Sequence, residues 1–237
     1  MRRFLIAFLT LSATLQVGAA PTTKELAPPP PGATLPVLIN KTLKPHNLQP
    51  GQSITVEFVQ TVPVSNQVSL PRGTKLDGRV IGVSDSSISI LFDQLRWKGR
   101  TLPVHVRLVA AASPYDVLQT RLPLGATDRS TSDEHDWTTR QIGGDEVYLS
   151  AGSGKVYDKY SEPVGFADFS GVYASPTAPS HLPRAVGPFS TTATGLHGFR
   201  EFSIISPGDV NVPITLAASK PKWEIGRGSA VLLEVVR

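Results

Sequence analysis

The sequence predicts a mainly β protein, a single β-barrel or sandwich interrupted by a long loop-rich insertion. Of its 237 residues, 20 are Gly and 21 are Pro, and both residue types disfavour helices. Many short runs alternate between apolar and polar residues, which is typical of half-buried strands. The length suffices for a hydrophobic core, and with no Cys the chain forms no disulfides.

Residues 1–19 are predicted to be a secretory signal peptide. Arg2 and Arg3 precede the apolar run 4–15, and small residues surround Ala19, as signal peptidases require. The run is shorter than the roughly 17–25 residues of a membrane span. We therefore expect cleavage, with an uncleaved anchor as the alternative. The remaining chain is predicted to be periplasmic or secreted and to have no membrane span.

Residues 20–34 are predicted to be a Pro-rich linker. Four consecutive prolines occupy positions 28–31, and such a run favours an extended polyproline helix. Such a segment has few side chains that could be buried in a hydrophobic core, so we expect it to act as a spacer.

Residues 35–113 contain about six predicted strands. In the run 53–59, apolar Ile54, Val56 and Phe58 alternate with polar residues, as in a strand with one buried face. Turns are predicted at three residue pairs, Pro50-Gly51, Ser65-Asn66 and Lys98-Gly99.

Two glycines in this region have predicted backbone roles. We expect Gly73 to supply a turn with positive φ and Gly78 to supply a β-bulge. Both would bend the chain between successive strands.

Residues 114–196 are predicted to be the loop-rich insertion, packed on one end of the β domain. Pro, Gly, Ser, Thr and Asp, which interrupt helices and strands, are frequent there, and apolar residues no longer alternate with polar ones. Long weakly patterned stretches inside compact domains are often functional loops. Within it, the segment 114–120 is predicted to form a short helix.

Residues 197–237 again show sequence patterns typical of strands and are predicted to complete the β domain. Strands are predicted near 199–205, 210–216 and 230–236, with a turn at Pro207-Gly208-Asp209. The last run is almost continuously apolar, which predicts burial on both faces of that strand.

Two segments resemble the C-terminal β-barrel of the TrbI-like scaffold proteins of type IV secretion and conjugation machines. Residues 35–106 contain the Pro50-Gly51 turn and the run Leu70-Pro71-Arg72-Gly73-Thr74-Lys75-Leu76-Asp77-Gly78. Residues 223–236 place Gly226-Arg227-Gly228-Ser229 before an apolar strand.

The resemblance implies a barrel that acts as a scaffold in the cell envelope. That family interrupts its barrel with an amphipathic helical pair, a pattern that residues 114–196 lack. The overall layout also resembles secreted bacterial proteins of unknown role that carry stretches like Trp137-Thr138-Thr139 and Gly143-Gly144.

No combination of residues predicts an enzyme, a metal site or a cofactor. Asp133, Glu134, His135 and Asp136 are residue types that bind metals. Consecutive residues rarely point at one ion, so we interpret them as a solvated acidic loop. We therefore predict a protein without catalytic residues.

Nucleic acid is not a predicted partner. The formal charge of +4 falls to +2 without residues 1–19, which contain two cations and no acid. The densest basic stretch is interleaved with strand residues, which predicts a solvated strand face rather than a phosphate-binding surface. It consists of Arg96, Lys98, Arg100 and Arg107.

Aromatic residues of the insertion are the predicted contact residues. Exposed aromatic rings stack on sugars or fill a partner's pocket, although an auxiliary core is the alternative role. The candidates are Trp137, Tyr148, Tyr157 and Tyr160. We predict a scaffold or interaction module for envelope proteins, or alternatively a module that binds cell-wall glycan such as peptidoglycan.

Overall fold

The computed structural model describes residues 27–120, 137–144, 146–149, 154–158, 160–168, 171–176 and 181–236. Strands account for 52% of the structure and helix for 5%, so the predicted mainly β class is confirmed. The predicted signal peptide and residues 133–136 lie outside the described residues.

The elements are numbered in chain order. The strands are β1 (Thr34–Ile39), β2 (Ser53–Phe58), β3 (Val62–Pro63), β4 (Ser69–Leu70), β5 (Lys75–Ser84), β6 (Ser87–Trp97), β7 (Arg100–Pro103), β8 (Val106–Ala112), β9 (Trp137–Arg140), β10 (Glu146–Leu149), β11 (Lys155–Tyr157), β12 (Pro163–Asp168), β13 (Gly171–Ala174), β14 (Arg184–Ala185), β15 (Gly195–His197), β16 (Phe202–Asp209), β17 (Val212–Ala218) and β18 (Ala230–Val235). A 3-10 turn spans Pro45–Asn47, and helix α1 spans Pro114–Gln119, as predicted for that segment.

Nine strands form one nearly closed, barrel-shaped sheet. Their order is β15-β8-β18-β1-β2-β5-β6-β17-β16, and β7 pairs with β6 outside this path. Neighbours are antiparallel except β15 and β8, which run parallel. The first and last strands of the chain's β elements, β1 and β18, pair with each other, and Thr34 lies opposite Glu234.

The barrel interior follows the alternation seen in the sequence. Ile54, Val56 and Phe58 of β2 are all buried in the main hydrophobic cluster. On β18, Leu233 and Val235 join that cluster, while Ala230 and Leu232 join a second cluster outside the barrel wall. The predicted burial of this strand on both faces is therefore confirmed.

Most predicted turns lie where the sequence placed them. Lys98 and Gly99 connect β6 to β7 with φ of 47° and 73°, as a two-residue hairpin of this type requires. Gly73 has a φ of 81°, and the register of β5 and β6 shifts between Asp77 and Gly78. The turn and the bulge are both confirmed.

One predicted turn is wrong. Pro207, Gly208 and Asp209 continue β16 instead of ending it. The chain reverses at Val210 and Asn211, where Asn211 has a φ of 58°. Asn tolerates this left-handed conformation, so it serves as the turn residue.

The predicted insertion contains a second sheet of six strands. Its order is β14-β13-β12-β11-β10-β9, and all its pairings are antiparallel. A bridge between Ile142 and Phe189 joins the segments that follow β9 and β14, so the sheet curls back on itself.

The second sheet and its flanking segments contact the barrel at two places. Tyr173 of β13 and Ala185 of β14 belong to the main hydrophobic cluster together with interior residues of the barrel. Phe189 and Ile142 pack with Val117 of α1 against the outer residues of β8 and β18. The apolar outer face of these two strands explains the position, because that face needs a cover to exclude water.

The buried amide of Gln60 joins the second sheet to the barrel. This side chain is 1% exposed. Its Nε2 donates to the Val172 carbonyl oxygen at 2.9 Å, and its Oε1 accepts from the Gly187 amide at 2.5 Å. The Thr34 hydroxyl adds a bond to the Ala185 carbonyl at 2.7 Å.

The Gly143-Gly144 pair permits close packing against Ser190 and against His197 of β15. A Cβ on Gly144 would lie 2.3 Å from the Ser190 Cβ, and one on Gly143 would lie 2.8 Å from the His197 ring. Both distances are below van der Waals contact, so only glycine fits without displacement of these neighbours.

Gly208 lies where β16 approaches β8 across the remaining gap in the barrel. Its φ is 90°, and a Cβ there would lie 3.1 Å from the Val106 carbonyl oxygen and 2.9 Å from the Ile214 side chain. The strands β16 and β8 are therefore in contact at this point.

Within the described part of the chain, no helix has the length and apolar character needed to cross a membrane.

Replacing Gln60 tests the connection between the two sheets. Gln60→Leu leaves the Gly187 amide without its partner and takes one of two bonds from the Val172 carbonyl, which also accepts from the Val186 amide at 3.3 Å. We expect a loss of about 1–3 kcal/mol in unfolding free energy. Urea unfolding measures it. Gln67→Leu, at an exposed position, is the control and should stay within about 0.5 kcal/mol of wild type. Equal stability of both variants contradicts the role of Gln60.

Replacing Gly208 tests the barrel seam. Gly208→Ala imposes a left-handed backbone on alanine and crowds Val106, so we expect a loss of about 2–4 kcal/mol. Gly82→Ala is the matched control because nothing lies within 4 Å of its added Cβ. Thermal unfolding should separate the two variants, and an undiminished Tm for Gly208→Ala would refute the close contact.

Candidate functional site

The barrel interior is filled by side chains. Its cavity measures about 50 Å³, close to the space that one water molecule occupies. The walls are aliphatic and aromatic except for Ser229, whose hydroxyl donates to the Gly226 carbonyl at 2.7 Å. Ligand pockets usually measure about 300–1,000 Å³, so this interior does not accommodate one.

The four predicted contact residues all belong to the second sheet or its loops. Tyr148 of β10 lies directly opposite Tyr157 of β11. Trp137 of β9 lies opposite Leu149, and because successive residues alternate faces, its position is on the other face from Tyr148. Tyr160 is in the loop between β11 and β12. The register thus places Tyr148 opposite Tyr157, and Tyr160 follows three residues after Tyr157 in the chain.

The loop that carries Tyr160 is fixed by one carboxylate. Asp158 Oδ1 accepts from the backbone amides of Tyr160 and Glu162, each at 2.9 Å. The Asp158 amide in turn donates to the Glu162 carbonyl at 3.0 Å. Asp side chains commonly stabilise turns in this way. Tyr160 is 73% exposed at the tip, so an ordered loop presents its ring to solvent.

Two further aromatic residues continue this surface toward the barrel. Phe166 and Tyr173 occupy opposed positions on β12 and β13 and stack with ring centroids 5.0 Å apart. Tyr173 is buried, and its hydroxyl donates to the Thr61 carbonyl of the barrel segment at 3.1 Å. Phe166 is partly exposed. The auxiliary-core role therefore applies to Tyr173, whereas Tyr160 and Phe166 face solvent.

A second exposed apolar surface lies on the β16–β17 hairpin. We call Ile205, Val210 and Val212 the hairpin patch. Ile205 is 66% exposed, and Val210 and Val212 are also exposed. Ile204 pairs with Leu216 and Ser206 pairs with Thr215, so Ile205 is the extra residue of a bulge.

The sequence interpretation missed this patch. The turn was predicted at Pro207-Gly208-Asp209, whereas the tip of the hairpin lies at Val210 and Asn211. The adjacent pair Ile204-Ile205, which breaks the alternation expected of a strand, was the available signal for an outward-pointing residue.

The basic stretch singled out in the sequence is largely compensated. Arg96 pairs with Asp77 at 2.9 Å and Arg107 with Glu234 at 3.0 Å. The Lys98 ammonium lies 4.5 Å above the Trp97 ring. Surface pairs of this kind contribute about 0–1 kcal/mol each.

Among the described residues, no group of three or more His, Asp or Glu side chains is arranged to hold an ion.

Comparison with known proteins found no matching family model, no matching curated protein and no matching solved structure.

Proposed function

We propose that this protein is a non-enzymatic interaction module or scaffold of the cell envelope, exported through its N-terminal signal segment. The observation that carries the proposal is the filled barrel combined with the exposed hairpin patch. A barrel without internal space acts through its outer surface. Isolated exposed apolar residues are ordinary, but several on one projecting element mark a contact surface.

The hairpin patch supports binding on energetic grounds. Full burial of one aliphatic side chain contributes about 1.5–3 kcal/mol, so three such residues supply a substantial part of the affinity of a specific complex. The supporting strands β6 and β17 are locked together, since Ser89 and Thr215 hydroxyls lie 2.9 Å apart. Little ordering entropy is then lost on binding.

A photocrosslinking amino acid at position 205 tests this proposal in intact cells. We expect Ile205 substituted by benzoylphenylalanine to capture one recurrent envelope protein, because the side chain points into the contact. Position 49 is the control, since Gln49 is exposed on a loop outside the hairpin. Equal capture from both positions, or none from position 205, contradicts the proposal.

A glycan-binding role is the second candidate function. Tyr157, Tyr160 and Phe166 place aromatic rings in one region of the second sheet, and exposed rings are the groups that stack on sugars. The ordered loop around Asp158 favours this role, because a fixed ring loses less entropy on binding.

Retention on purified cell-wall sacculi tests glycan binding. We expect Tyr157→Ala combined with Tyr160→Ala to lower retention at least about tenfold, since each lost stacking contact costs on the order of 1 kcal/mol. Tyr115→Ala removes an equally exposed aromatic ring from α1 and serves as the control. Undiminished retention of the double variant eliminates the glycan candidate.

A further inference from the structure

Two β-bulges lie in one row of residues that crosses the barrel sheet. The register of β5 and β6 shifts around Ile81, and that of β16 and β17 shifts around Ile205, so each isoleucine is the extra residue of its bulge. Ser89 of β6 lies opposite the bulge on β5, and Thr215 of β17 lies opposite the bulge on β16. Ser89 and Thr215 pair with each other. We call Ile81, Ser89, Thr215 and Ile205 the isoleucine row.

Both bulges direct an isoleucine into solvent. Ile81 is 43% exposed and Ile205 is 66% exposed. The preceding residues, Val80 and Ile204, instead pack inside the barrel with the main hydrophobic cluster. A bulge re-aims a side chain that regular alternation would place differently. The two isoleucines therefore mark the two ends of one outer face.

Between the isoleucines, this face is small and uncharged. Ser89 and Thr215 are half-buried, and their hydroxyls lie 2.9 Å apart. The adjacent row toward the β5–β6 turn consists of Ser84, Ser87, Ala217 and Ser203. Because no bulky or charged side chain stands between the isoleucines, a second sheet can approach to the roughly 10 Å separation of packed sheets.

The isoleucine row is symmetric about its centre. Neighbouring strands lie about 4.8 Å apart, so the two isoleucines are about 14 Å apart with the hydroxyl pair midway between them. A twofold axis parallel to the strands and above this pair brings Ile81 of one copy onto Ile205 of a second copy, and the reverse. The Ser89–Thr215 pair then meets its own copy at the centre. A twofold interface has this self-complementary form, in which the same patch serves both copies.

The charges at the border of the face also suit a second copy. Asp85 is exposed in the turn between β5 and β6, and Lys220 is exposed just after β17. Rotation about the axis carries Asp85 of one copy to the β16–β17 side of the other, where Lys220 lies. A charge at the centre would meet its own copy and be repelled, and neither row of the face contains one.

The area of the face is sufficient for a weak complex. Four strands at about 4.8 Å spacing and five residues at about 3.4 Å rise cover about 19 by 17 Å. With the relief of the side chains, contact between two such faces buries on the order of 1,000 Å² in total, which is the lower limit for a specific interface. The expected Kd is about 10–100 µM.

We propose that this face is the interface of a dimer of two copies of the chain, related by that twofold axis. Ile81 of each copy packs on Ile205 of the other, and the two Ser89–Thr215 pairs hydrogen-bond across the axis. This inference rests on the proposed function as an interaction module, and it names a second copy of this chain as the occupant of the surface around Ile205.

Sedimentation equilibrium of the full chain, purified from cells, tests dimerisation. We expect conversion of monomer to dimer with rising concentration. Ile81→Ser and Ile205→Ser should each raise the Kd at least about tenfold, because each substitution changes two contacts in the dimer. Leu118→Ser, which alters a similarly exposed aliphatic side chain on α1, is the control and should leave the Kd unchanged. A monomer at every concentration up to about 500 µM, or an equal effect of the control, overturns the proposal.

Single cysteines test the position of the axis. The chain contains no Cys, so a short bismaleimide joins only introduced thiols. The axis places position 81 against position 205 of the second copy and more than about 14 Å from position 81 of that copy. In a mixture of Ile81→Cys and Ile205→Cys, with a mass tag on one variant, the mixed dimer should form at least about fivefold faster than either homodimer. Equal rates, or faster homodimers, overturn this arrangement.

The dimer and the proposed function fail separately. With the photocrosslinker at position 205 in intact cells, a product that contains only this chain supports the dimer. A product with a different envelope protein, together with a monomer in the centrifuge, overturns the dimer and keeps the interaction module. Dimerisation of the purified chain with no product from position 205 in cells refutes the cellular interaction module alone.

Discussion

The two bonds of the Gln60 amide determine how the second sheet sits on the barrel. Without this side chain, the Gly187 amide would lose its partner, at a cost of about 1–3 kcal/mol, and the Val172 carbonyl would keep only its bond from the Val186 amide. Gly171 and Gly187 make room for it, since a Cβ on Gly171 would lie 2.9 Å from Gln60 Oε1 and one on Gly187 would lie 2.9 Å from Val59.

The same packing leaves no ligand-sized space inside the barrel, so the outer surface is what remains for contacts. The barrel is solid, and the outer face of β8 and β18 is covered by Phe189 and Ile142. Gly208 brings β16 into contact with β8 at the seam. On the outer surface, apolar side chains are exposed on the hairpin patch, and aromatic rings are exposed at Tyr160 and Phe166. A rigid body with several outward contacts is the physical form expected of a scaffold.

Period-two alternation predicted the barrel because its strands are long enough to display it, as in Ser53–Phe58. The second sheet escaped prediction because five of its six strands are only two to four residues long, and the six-residue β12 contains Pro163 and Gly165, which interrupt its pattern. The hairpin patch was missed since a bulge at Ile205 breaks the alternation. Trp137, Tyr148, Tyr157 and Tyr160 were all selected from sequence, but only the register of β10 and β11 reveals that Tyr148 lies opposite Tyr157.

The size of the protein's native complex tests the central claim most directly, that this barrel works by holding partners at its surface. Gently solubilised envelopes are separated by sedimentation and the chain is followed by antibody. The account predicts a large fraction in assemblies well above the 25.4 kDa of the chain, shifted toward lower mass by substitution of Ile205. Recovery of the whole population as a free monomer would contradict it.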